Sequence, residues 1–556
     1  MVDIKNVWML TFESKPIVKV GGLGEVPPNL ASSLVKKGIN TYIIMPSHSP
    51  EGARGEEKIT SFELDGTEIS VGKRIWNGVT FILFSGGVFN DERVYSEETM
   101  MDKVVLLAKS LGWILQNHNK IGIKFPDVIH FHDWHSVVSL LKVKHACIDI
   151  QRCPELVYHI HLLIKKRINI TLLEKAGIPR DFKHEIRYGK REITVNVEKA
   201  LEMAGNIAER LGALESDIFV TVSRTYLRED KDGVLNSLGW DLEEKGGVIY
   251  NGTDWRYSQI YNEVVKVHKE GLVKFIGEKE RYERDELRKY FLQRALGSMP
   301  KGEPRQLDLR LFEKIKEKFT PPFLNDGRVE SFDSNGPLAI TTGRLSRQKG
   351  IDLIVEAIPK VLKELGSAKF VFLVLPVWGG EEYADMLIDL SRRYPYNVRV
   401  IFGIAPSTYR LAHISSDTFI APSRWEPFGI MALEAMVTGN PVIASAVGGL
   451  KEIVLDIREY GLKGTGLHVN PGDPYDLADA IRDMLAFMEG SRTGDIDRYT
   501  PKIGCEKLRN MLEETLDAGD IVRKSAIDRV ETHFTWDSAA EMALAVYKRG
   551  IEFRTS

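Results

Sequence analysis

Short apolar segments alternate with helix-length segments along this chain, and the alternation occurs in both halves. In the first half the strand-like segments are residues 6–12, 39–46, 127–131, 156–160 and 217–222. In the second half they are residues 337–342, 369–375, 397–402, 417–421 and 441–445. Strands that alternate with helices form right-handed crossovers and parallel sheets. The pattern predicts an α/β protein with two Rossmann-like domains, whose active site lies in the cleft between them and faces the carboxyl ends of the strands.

The composition argues against several classes of protein. A chain of 556 residues is too long for one hydrophobic core, so at least two domains are expected. The 75 basic and 78 acidic residues leave no charge excess that would favour nucleic acid or a membrane surface. No apolar run is long enough to span a bilayer, and the first residues do not resemble a signal peptide. The 3 cysteines include no Cys-x2-Cys pair, so we expect no disulfide framework and no thiolate zinc site, and we predict a cytoplasmic location.

A glycine-rich turn, Gly21-Gly22-Leu23-Gly24, follows the first predicted strand and precedes a helix that is expected to end at Gly38. Glycines in such a turn let backbone N–H groups approach a phosphate at the positive end of a helix. Lys19, just before the turn, adds a cation that can balance a diphosphate. The turn matches neither a Walker motif nor a dinucleotide fingerprint, and a plain tight turn is the alternative.

Histidines gather at the ends of two consecutive predicted strands. One strand ends in His130-Phe131-His132-Asp133-Trp134-His135, and the next ends in His159-Ile160-His161. A metal site is conceivable, but Asp133 is expected to point away from the strand histidines, so a substrate-contacting loop is preferred. In that interpretation Asp133 accepts hydrogen bonds from sugar hydroxyls, Trp134 offers a stacking face and His161 points into the same crevice as Gly22. A polar strand end with a buried tryptophan is the alternative.

Two cations and two carboxylates follow strands of the second half. Arg344 and Lys349 flank a short loop at the start of a helix, where both can converge on one anion. Glu426 lies in the loop after the strand at 417–421. Glu434 lies about two turns along the next helix, in apolar surroundings that favour a buried carboxylate with a specific partner. One carboxylate can hold sugar hydroxyls and the other the ribose of a nucleotide.

Two further motifs lie in the second half. Val447-Gly448-Gly449-Leu450 follows a predicted strand and starts a helix, which makes it a second candidate phosphate loop. Asp495-Ile496-Asp497 has the Asp-x-Asp pattern by which some glycosyltransferases bind a metal. It lies in an exposed segment after the last predicted strand, and we interpret it as surface.

Taken in order, these motifs resemble the bacterial and plant glycogen and starch synthases and their archaeal relatives over nearly the whole chain. The matching segments are residues 19–24, 132–134, 221–223, 251–252, 344–350, 426–429 and 448–450. The resemblance implies a GT-B fold with an acceptor domain over 1–245 and a donor domain over 246–521, with an inserted segment near 298–332. It also implies that a C-terminal helix within 522–556 crosses back to the first domain.

The resemblance further implies an activity and roles for the motif residues. Glucose would be transferred, with retention, from ADP-glucose or UDP-glucose to the 4-hydroxyl at the non-reducing end of an α-1,4-glucan such as glycogen. The catalytic set would be His161, Arg344, Lys349 and Glu426. The donor would be bound by Lys19, Gly22, Arg344, Lys349, Glu434, Gly448 and Gly449, and the sugar or acceptor by Asp133, Trp134 and His161. No metal and no cofactor is predicted, because cations and backbone N–H groups can neutralise the departing diphosphate.

Several alternatives stay open at this point. A related retaining transferase could use a small acceptor and form a sucrose- or trehalose-like product. A non-catalytic carbohydrate-binding relative could keep the cleft without turnover, and a pyridoxal-phosphate phosphorylase shares the architecture. Leu162 stands where bacterial members usually have Asn, which puts the acceptor side in doubt. Front-face attack is favoured over a covalent intermediate, because no carboxylate is placed as a nucleophile. A homo-oligomer is compatible with the sequence.

Overall fold

The computed structural model of the chain describes residues 4–189 and 191–555. It consists of two compact units: the chain leaves the first unit after Gly252 and returns to it at Trp536. The predicted bound at 245/246 differs because the strand Gly246–Val248 joins the sheet of the first unit. The bound at 521/522 differs because the helix Ala518–His533 packs on helices of the second unit. Residues 1–3 and 556, which the predicted bounds include, lie outside the described residues.

The first unit is built on a mixed sheet. Its strands are β1 (Asn6–Leu10), β2 (Asn40–Pro46), β3 (Glu57–Leu64), β4 (Thr67–Trp76), β5 (Val79–Ser85), β6 (Val128–His132), β7 (Glu155–Ile160), β8 (Lys183–Tyr188), β9 (Arg191–Asn196), β10 (Ile218–Thr221) and β11 (Gly246–Val248). The order in the sheet is β11-β10-β7-β6-β1-β2-β5-β4-β3, and β8 and β9 form a separate hairpin. The predicted strands are confirmed, and β1 lies at the point where the strand order changes direction.

The prediction of a wholly parallel sheet is wrong at one edge of this unit. β3, β4 and β5 pair antiparallel. The physical reason is two tight turns, Asp65-Gly66 and Asn77-Gly78, in which all four residues have positive φ. Such turns match the twist of antiparallel strands and close hairpins.

The second unit holds a parallel sheet. Its strands are β12 (Leu338–Arg344), β13 (Lys369–Leu375), β14 (Val398–Phe402), β15 (Thr418–Ala421), β16 (Val442–Ser445) and β17 (Gly466–Val469). Their order is β14-β13-β12-β15-β16-β17, so chain order reverses direction between β12 and β15. This is the strand order of the Rossmann fold, in which ligands bind outside the carboxyl ends of the strands at that reversal. All the strands predicted for the second half are confirmed.

Helices cover the sheets. In the first unit they are α1 (Val26–Lys36), α2 (Met100–Asn117), α3 (Val137–Ile150), α4 (Ile170–Lys175), α5 (Val197–Met203), α6 (Ala208–Glu215) and α7 (Val234–Leu238). In the second unit they are α8 (Tyr257–Ile276), α9 (Arg284–Gln293), α10 (Leu309–Lys316), α11 (Ile351–Glu364), α12 (Glu381–Arg393), α13 (Pro406–Ser415), α14 (Ile430–Val437), α15 (Gly448–Ile453), α16 (Ile457–Tyr460), α17 (Pro474–Thr493), α18 (Ile496–Tyr499), α19 (Glu506–Glu514) and α20 (Ala518–His533). Among the described residues, none of these helices, nor the last one, is long and apolar enough to cross a bilayer.

The last helix, α21 (Trp536–Thr555), belongs to the first unit, as the resemblance implies. It packs against α1, and the small residues Ala539, Ala540 and Ala543 bring the two helices close together. Trp536 and Tyr547 are buried in the same apolar cluster. The C-terminal helix is therefore part of the core of the first unit.

One disulfide forms, contrary to the expectation from the cysteine spacing. Cys147, near the end of α3, is bonded to Cys153. Gln151 ends α3 in the left-handed conformation and turns the chain back, so the two Cα atoms lie 5.1 Å apart. The cysteine count therefore no longer supports a cytoplasmic location, which stays a prediction.

Glu215 anchors the β8–β9 hairpin to α3. Its buried carboxylate accepts hydrogen bonds from Lys144 Nζ and from His184 Nε2, each at 2.8 Å. Burial by itself would raise the pKa of Glu215, but Lys144 and His184 outweigh burial and lower the pKa from 4.5 to about 2. The charged carboxylate thus stabilises the fold above pH 4.5. This contribution, about 3 kcal/mol, is lost as the pH falls from 4.5 towards 2.

We expect Glu215→Gln to lower the free energy of unfolding at pH 7 and to weaken its pH dependence below pH 4.5, because the neutral amide has no charge to lose. Urea unfolding at a series of pH values measures both effects. Glu202→Gln, which changes an exposed carboxylate paired with Lys199, serves as the matched control and should alter neither. Equal acid sensitivity in Glu215→Gln and the unchanged chain would contradict the assignment.

Candidate active site

In the second unit, the predicted cation and carboxylate meet at the reversal of strand order. Glu426 follows β15, and Lys349 follows β12, the neighbouring strand. The Lys349 ammonium forms an ion pair with Glu426 Oε2, and Ser423 Oγ donates to the same oxygen at 3.3 Å. Glu426 is only 9% exposed, so the pair is held in a largely dry position. An opposed cation and anion therefore stand where a Rossmann-like sheet binds its ligand.

Arg344 ends β12 beside this ion pair. A Cβ atom on Gly343 would lie 3.6 Å from Lys349 Cγ and Cδ, so the lysine stem covers the residue before Arg344. Gly350 closes the loop with a φ of 64° and packs so tightly that a Cβ would come within 2.2 Å of the Pro422 carbonyl oxygen. The Arg344 side chain is exposed, and none of the described residues forms an ion pair with it. The loop thus presents one cation paired with Glu426 and two exposed cations, Arg344 and Arg347, that have no ion-pair partner among the described residues.

Glu434 has the specific partner that its apolar surroundings predict, although it is half-buried rather than buried. The Tyr409 hydroxyl on α13 donates a hydrogen bond to Glu434 Oε2 at 2.7 Å. The Tyr409 ring packs against two other rings, His413 at 4.5 Å and Trp255 at 5.8 Å between ring centroids. Tyr409 was not predicted as a site residue. It lies 25 residues before Glu434, and no local sequence pattern links the two residues.

The second glycine loop differs from the predicted phosphate cradle. The Gly449 N–H group donates to the carbonyl oxygens of Glu426 and Pro427, at 3.1 and 3.2 Å. A Cβ on Gly449 would come within 2.3 Å of the Phe428 carbonyl oxygen. Gly448 and Gly449 therefore let this loop pack directly on the loop that carries Glu426. The Gly449 N–H group is thus bonded within the protein, and donor binding at Gly448 and Gly449 stays a prediction.

The first glycine loop, after β1, is also filled by the protein itself. Glu13 Oε2 accepts hydrogen bonds from the N–H groups of Val20 and Gly21, the latter at 2.8 Å. Lys19 forms an ion pair with Glu25, and its side chain stays 47% exposed. A Cβ atom on Gly22 would have no atom beyond its chain neighbours within 4 Å, so the turn is open to a ligand at Gly22. The anion that this loop holds is thus the carboxylate of Glu13, which the sequence did not single out.

Asp133 organises the neighbouring strand end. It has a φ of 57° and a ψ of 176°, a backbone conformation that costs a non-glycine residue about 1–3 kcal/mol. Asp133 Oδ1 accepts hydrogen bonds from the N–H groups of His161 and Leu162, at 2.8 and 3.3 Å. Burial raises the pKa of Asp133 to about 7. The strained aspartate therefore fixes the backbone on which His161 stands.

The loop after His161 is held by two residues that the sequence analysis missed. Glu209, on α6, accepts hydrogen bonds from the N–H groups of Ile164 and Lys166, at 3.0 and 2.9 Å. The Tyr226 hydroxyl accepts one from Leu163 N–H at 2.8 Å. These anchors come from distant segments, so only the fold reveals them.

Trp134 does not offer the stacking face that was predicted. Its side chain is only 6% exposed, and His135 and the Lys166 ammonium lie against its ring, at 4.4 and 5.0 Å from the ring centroid. The alternative from the sequence, a buried tryptophan behind a polar strand end, describes it better. Trp134 therefore supports the loop rather than contacting a sugar.

Comparison with known families agrees with this arrangement of loops. Residues 6–239 match the family model of the starch synthase catalytic domain, and residues 325–490 match the glycosyl transferases group 1 model. The chain is similar to the glycogen and starch synthases over most of its length. Two relatives of this glycosyltransferase are the glycogen synthases of Clostridium novyi and Streptococcus gordonii. Each is 26% identical to it, over 87% and 86% of this chain respectively and 92% of the relative.

Comparison with solved structures establishes that this chain has the GT-B fold. The catalytic domain of starch synthase IV from Arabidopsis thaliana, bound to ADP and acarbose, matches with a TM-score of 0.67 and 20% identity. The sucrose-phosphate synthase of Thermosynechococcus elongatus matches with a TM-score of 0.53 and 17% identity. Each comparison covers 99% of this chain and 100% of the solved chain. The predicted α/β class and GT-B fold are confirmed.

Proposed function

We propose that this glycosyltransferase lengthens α-1,4-glucan chains by moving glucose, with retention, from ADP-glucose or UDP-glucose to the 4-hydroxyl at a non-reducing end. The observation that carries the proposal is the Lys349–Glu426 ion pair beside the unpaired Arg344, at the strand-order reversal of the second unit. The names of the relatives, glycogen synthases, and the ADP and acarbose held by starch synthase IV support the same donor and acceptor classes.

The chemistry of transfer explains why these groups stand together. Breaking the anomeric bond develops positive charge on the sugar and adds one negative charge to the departing nucleoside diphosphate. Preorganised cations that meet this departing charge lower the barrier most. Arg344 can bind two phosphate oxygens with its planar fork, and Lys349 supplies a point charge. Glu426 orients the Lys349 ammonium and accepts hydrogen bonds from glucose hydroxyls.

Glu434 is proposed to bind the ribose of the donor. A carboxylate accepts hydrogen bonds from two neighbouring hydroxyls, and the Tyr409 hydroxyl donates to Glu434 Oε2 at 2.7 Å. Tyr409 therefore acts as a positioning residue that fixes the Glu434 rotamer.

The residues of the first unit are proposed to serve the acceptor and the transferring sugar. His161 stands on a loop fixed by Asp133, at the carboxyl end of the sheet, and burial lowers its pKa to about 3, so its ring is neutral at pH 7. Lys19 and Gly22 lie on the open side of their loop, where Lys19 can exchange Glu25 for a phosphate.

Incorporation of labelled glucose into glycogen tests the proposed function. The purified chain is incubated with glycogen and either ADP-glucose or UDP-glucose, and the product is digested with an exo-acting α-1,4-glucanase. We expect label in the glycogen and its release by the enzyme. No incorporation from either donor by the folded chain would reject the proposal. A parallel reaction with sugar phosphates as acceptors distinguishes a small-acceptor transferase, which would yield a labelled disaccharide instead.

Tyr409→Phe is expected to raise the KM for the donor about tenfold and to leave kcat nearly unchanged. The substitution removes one hydrogen bond to a charged carboxylate, which contributes about 1.5–3 kcal/mol, and keeps the ring. Steady-state kinetics at saturating glycogen measure the effect. Tyr396→Phe, at an exposed position of the same unit, is the control and should behave as the unchanged chain. An unaltered donor KM in Tyr409→Phe would show that Glu434 does not depend on Tyr409.

A further inference from the structure

We propose that His130, His132 and His159 form a site for one divalent transition-metal ion of the zinc and cobalt class in the first unit. His130 and His132 are two residues apart on β6 and therefore share one face of the strand. β7 pairs with β6 so that His159 lies opposite His132. Two histidines on one strand and a third on its neighbour place three imidazoles on the same face of the sheet.

The distances within this trio are close to those of a metal centre. One nitrogen from each ring lies within 4.8 Å of the others. His130 Nε2 and His159 Nδ1 are 3.1 Å apart, and two nitrogen ligands of a tetrahedral zinc ion are about 3.3 Å apart. His132 Nε2 is buried and has no hydrogen-bond partner among the described residues. His161 Nε2 lies 2.9 Å from His132 Nδ1, which leaves His132 Nε2 for the ion.

The surroundings of the trio also suit a metal. His130 Nδ1 is held by the Tyr547 hydroxyl of α21 at 2.8 Å, which leaves Nε2 for the ion, and metal-binding histidines are regularly oriented in this way. All three histidines are fully buried. Three imidazoles form a ligand set that suits zinc and its neighbours rather than magnesium or calcium.

The run from His130 to His135 alone does not predict a metal site, because it supplies only two ligands on one face of the strand. The third ligand comes from the next strand, and Asp133, as expected, turns away to the backbone of His161. A bound ion would join β6, β7 and, through Tyr547, α21. The inference does not depend on the proposed glucosyl transfer.

Titration with cobalt tests the site directly. The full chain is stripped with a chelator, dialysed and titrated with Co²⁺, while visible absorption is recorded and bound metal is counted by mass spectrometry. We expect one ion per chain and the d–d absorption of a four-coordinate site with three nitrogen ligands, and we expect Zn²⁺ to displace the Co²⁺. No such absorption from the folded chain would overturn the proposal and leave the rings as a hydrogen-bonded stack without metal.

Variants assign the bound ion to the trio. His159→Ala is expected to lose the cobalt spectrum, whereas His533→Ala, at an exposed position of the second unit, is expected to keep it. An unchanged spectrum in His159→Ala would overturn the assignment. Should His159→Ala fail to fold, Tyr547→Phe retains the ring and is expected to weaken binding roughly tenfold or more, by freeing His130. Unweakened binding in Tyr547→Phe would likewise contradict coordination through His130 Nε2.

Discussion

Lys349→Ala is expected to lower kcat roughly 10²-fold or more, while glucan binding stays nearly unchanged. The lysine ammonium is held by Glu426 in a position only 15% exposed, where its charge is poorly screened by water. Its removal withdraws one of the two cations proposed to meet the departing diphosphate. Initial rates at saturating donor and glycogen measure the loss, and a glycogen-binding assay on the same preparation measures acceptor affinity.

Lys360→Ala provides the matched control for Lys349→Ala. Lys360 lies on the following helix, α11, is more exposed and pairs with Asp479 outside the site. The Lys360→Ala substitution should leave the rate of glucose transfer unchanged. A Lys349→Ala chain that turns over at nearly the unchanged rate would remove Lys349 from the catalytic set.

Glu426→Ala is expected to reduce kcat by a similar factor, for two connected reasons. The variant loses an acceptor for the glucose hydroxyls, and it releases the Lys349 ammonium from its ion pair. Glu426→Gln keeps the size and one acceptor oxygen, so it should lose less. Glu356→Ala, at an exposed position on α11, is the control.

The double variant Lys349→Ala/Glu426→Ala distinguishes one functional pair from two independent residues. If the ion pair acts as a unit, the double variant loses much less than the product of the two single losses. Losses that multiply would contradict the coupling, and near-unchanged rates in Glu426→Ala would contradict the role of this carboxylate altogether.

The sequence predicted those parts of the fold and site that have a local pattern. The buried parallel strands are continuous apolar runs, and Arg344, Lys349 and Glu426 follow strands directly, so their common edge could be predicted. The hairpins at Asp65-Gly66 and Asn77-Gly78 also have a local signal, since Asp-Gly and Asn-Gly are typical of tight hairpin turns. The prediction missed them because it followed only the alternation of strands and helices.

Other contacts have no local signal. Glu13 fills the first glycine loop and also accepts a hydrogen bond from the Tyr95 hydroxyl at 2.8 Å, from a segment 82 residues away. Arg288 lies in a stretch of α9 whose many charged residues predict a solvated helix. The fold buries it against Asp417 and Glu489, 129 and 201 residues away. Such pairs exist only once the tertiary structure has formed, so the sequence could not predict them.

Calorimetric titration with ADP against AMP, and with UDP against UMP, tests most directly whether Arg344 and Lys349 receive the diphosphate. The unchanged chain is predicted to bind either ADP or UDP more tightly than the corresponding monophosphate. The double variant Arg344→Ala/Lys349→Ala is predicted to bind the diphosphate and the monophosphate with similar affinity. An equal difference in affinity between diphosphate and monophosphate in the unchanged chain and the double variant would contradict the role of Arg344 and Lys349 in binding the diphosphate.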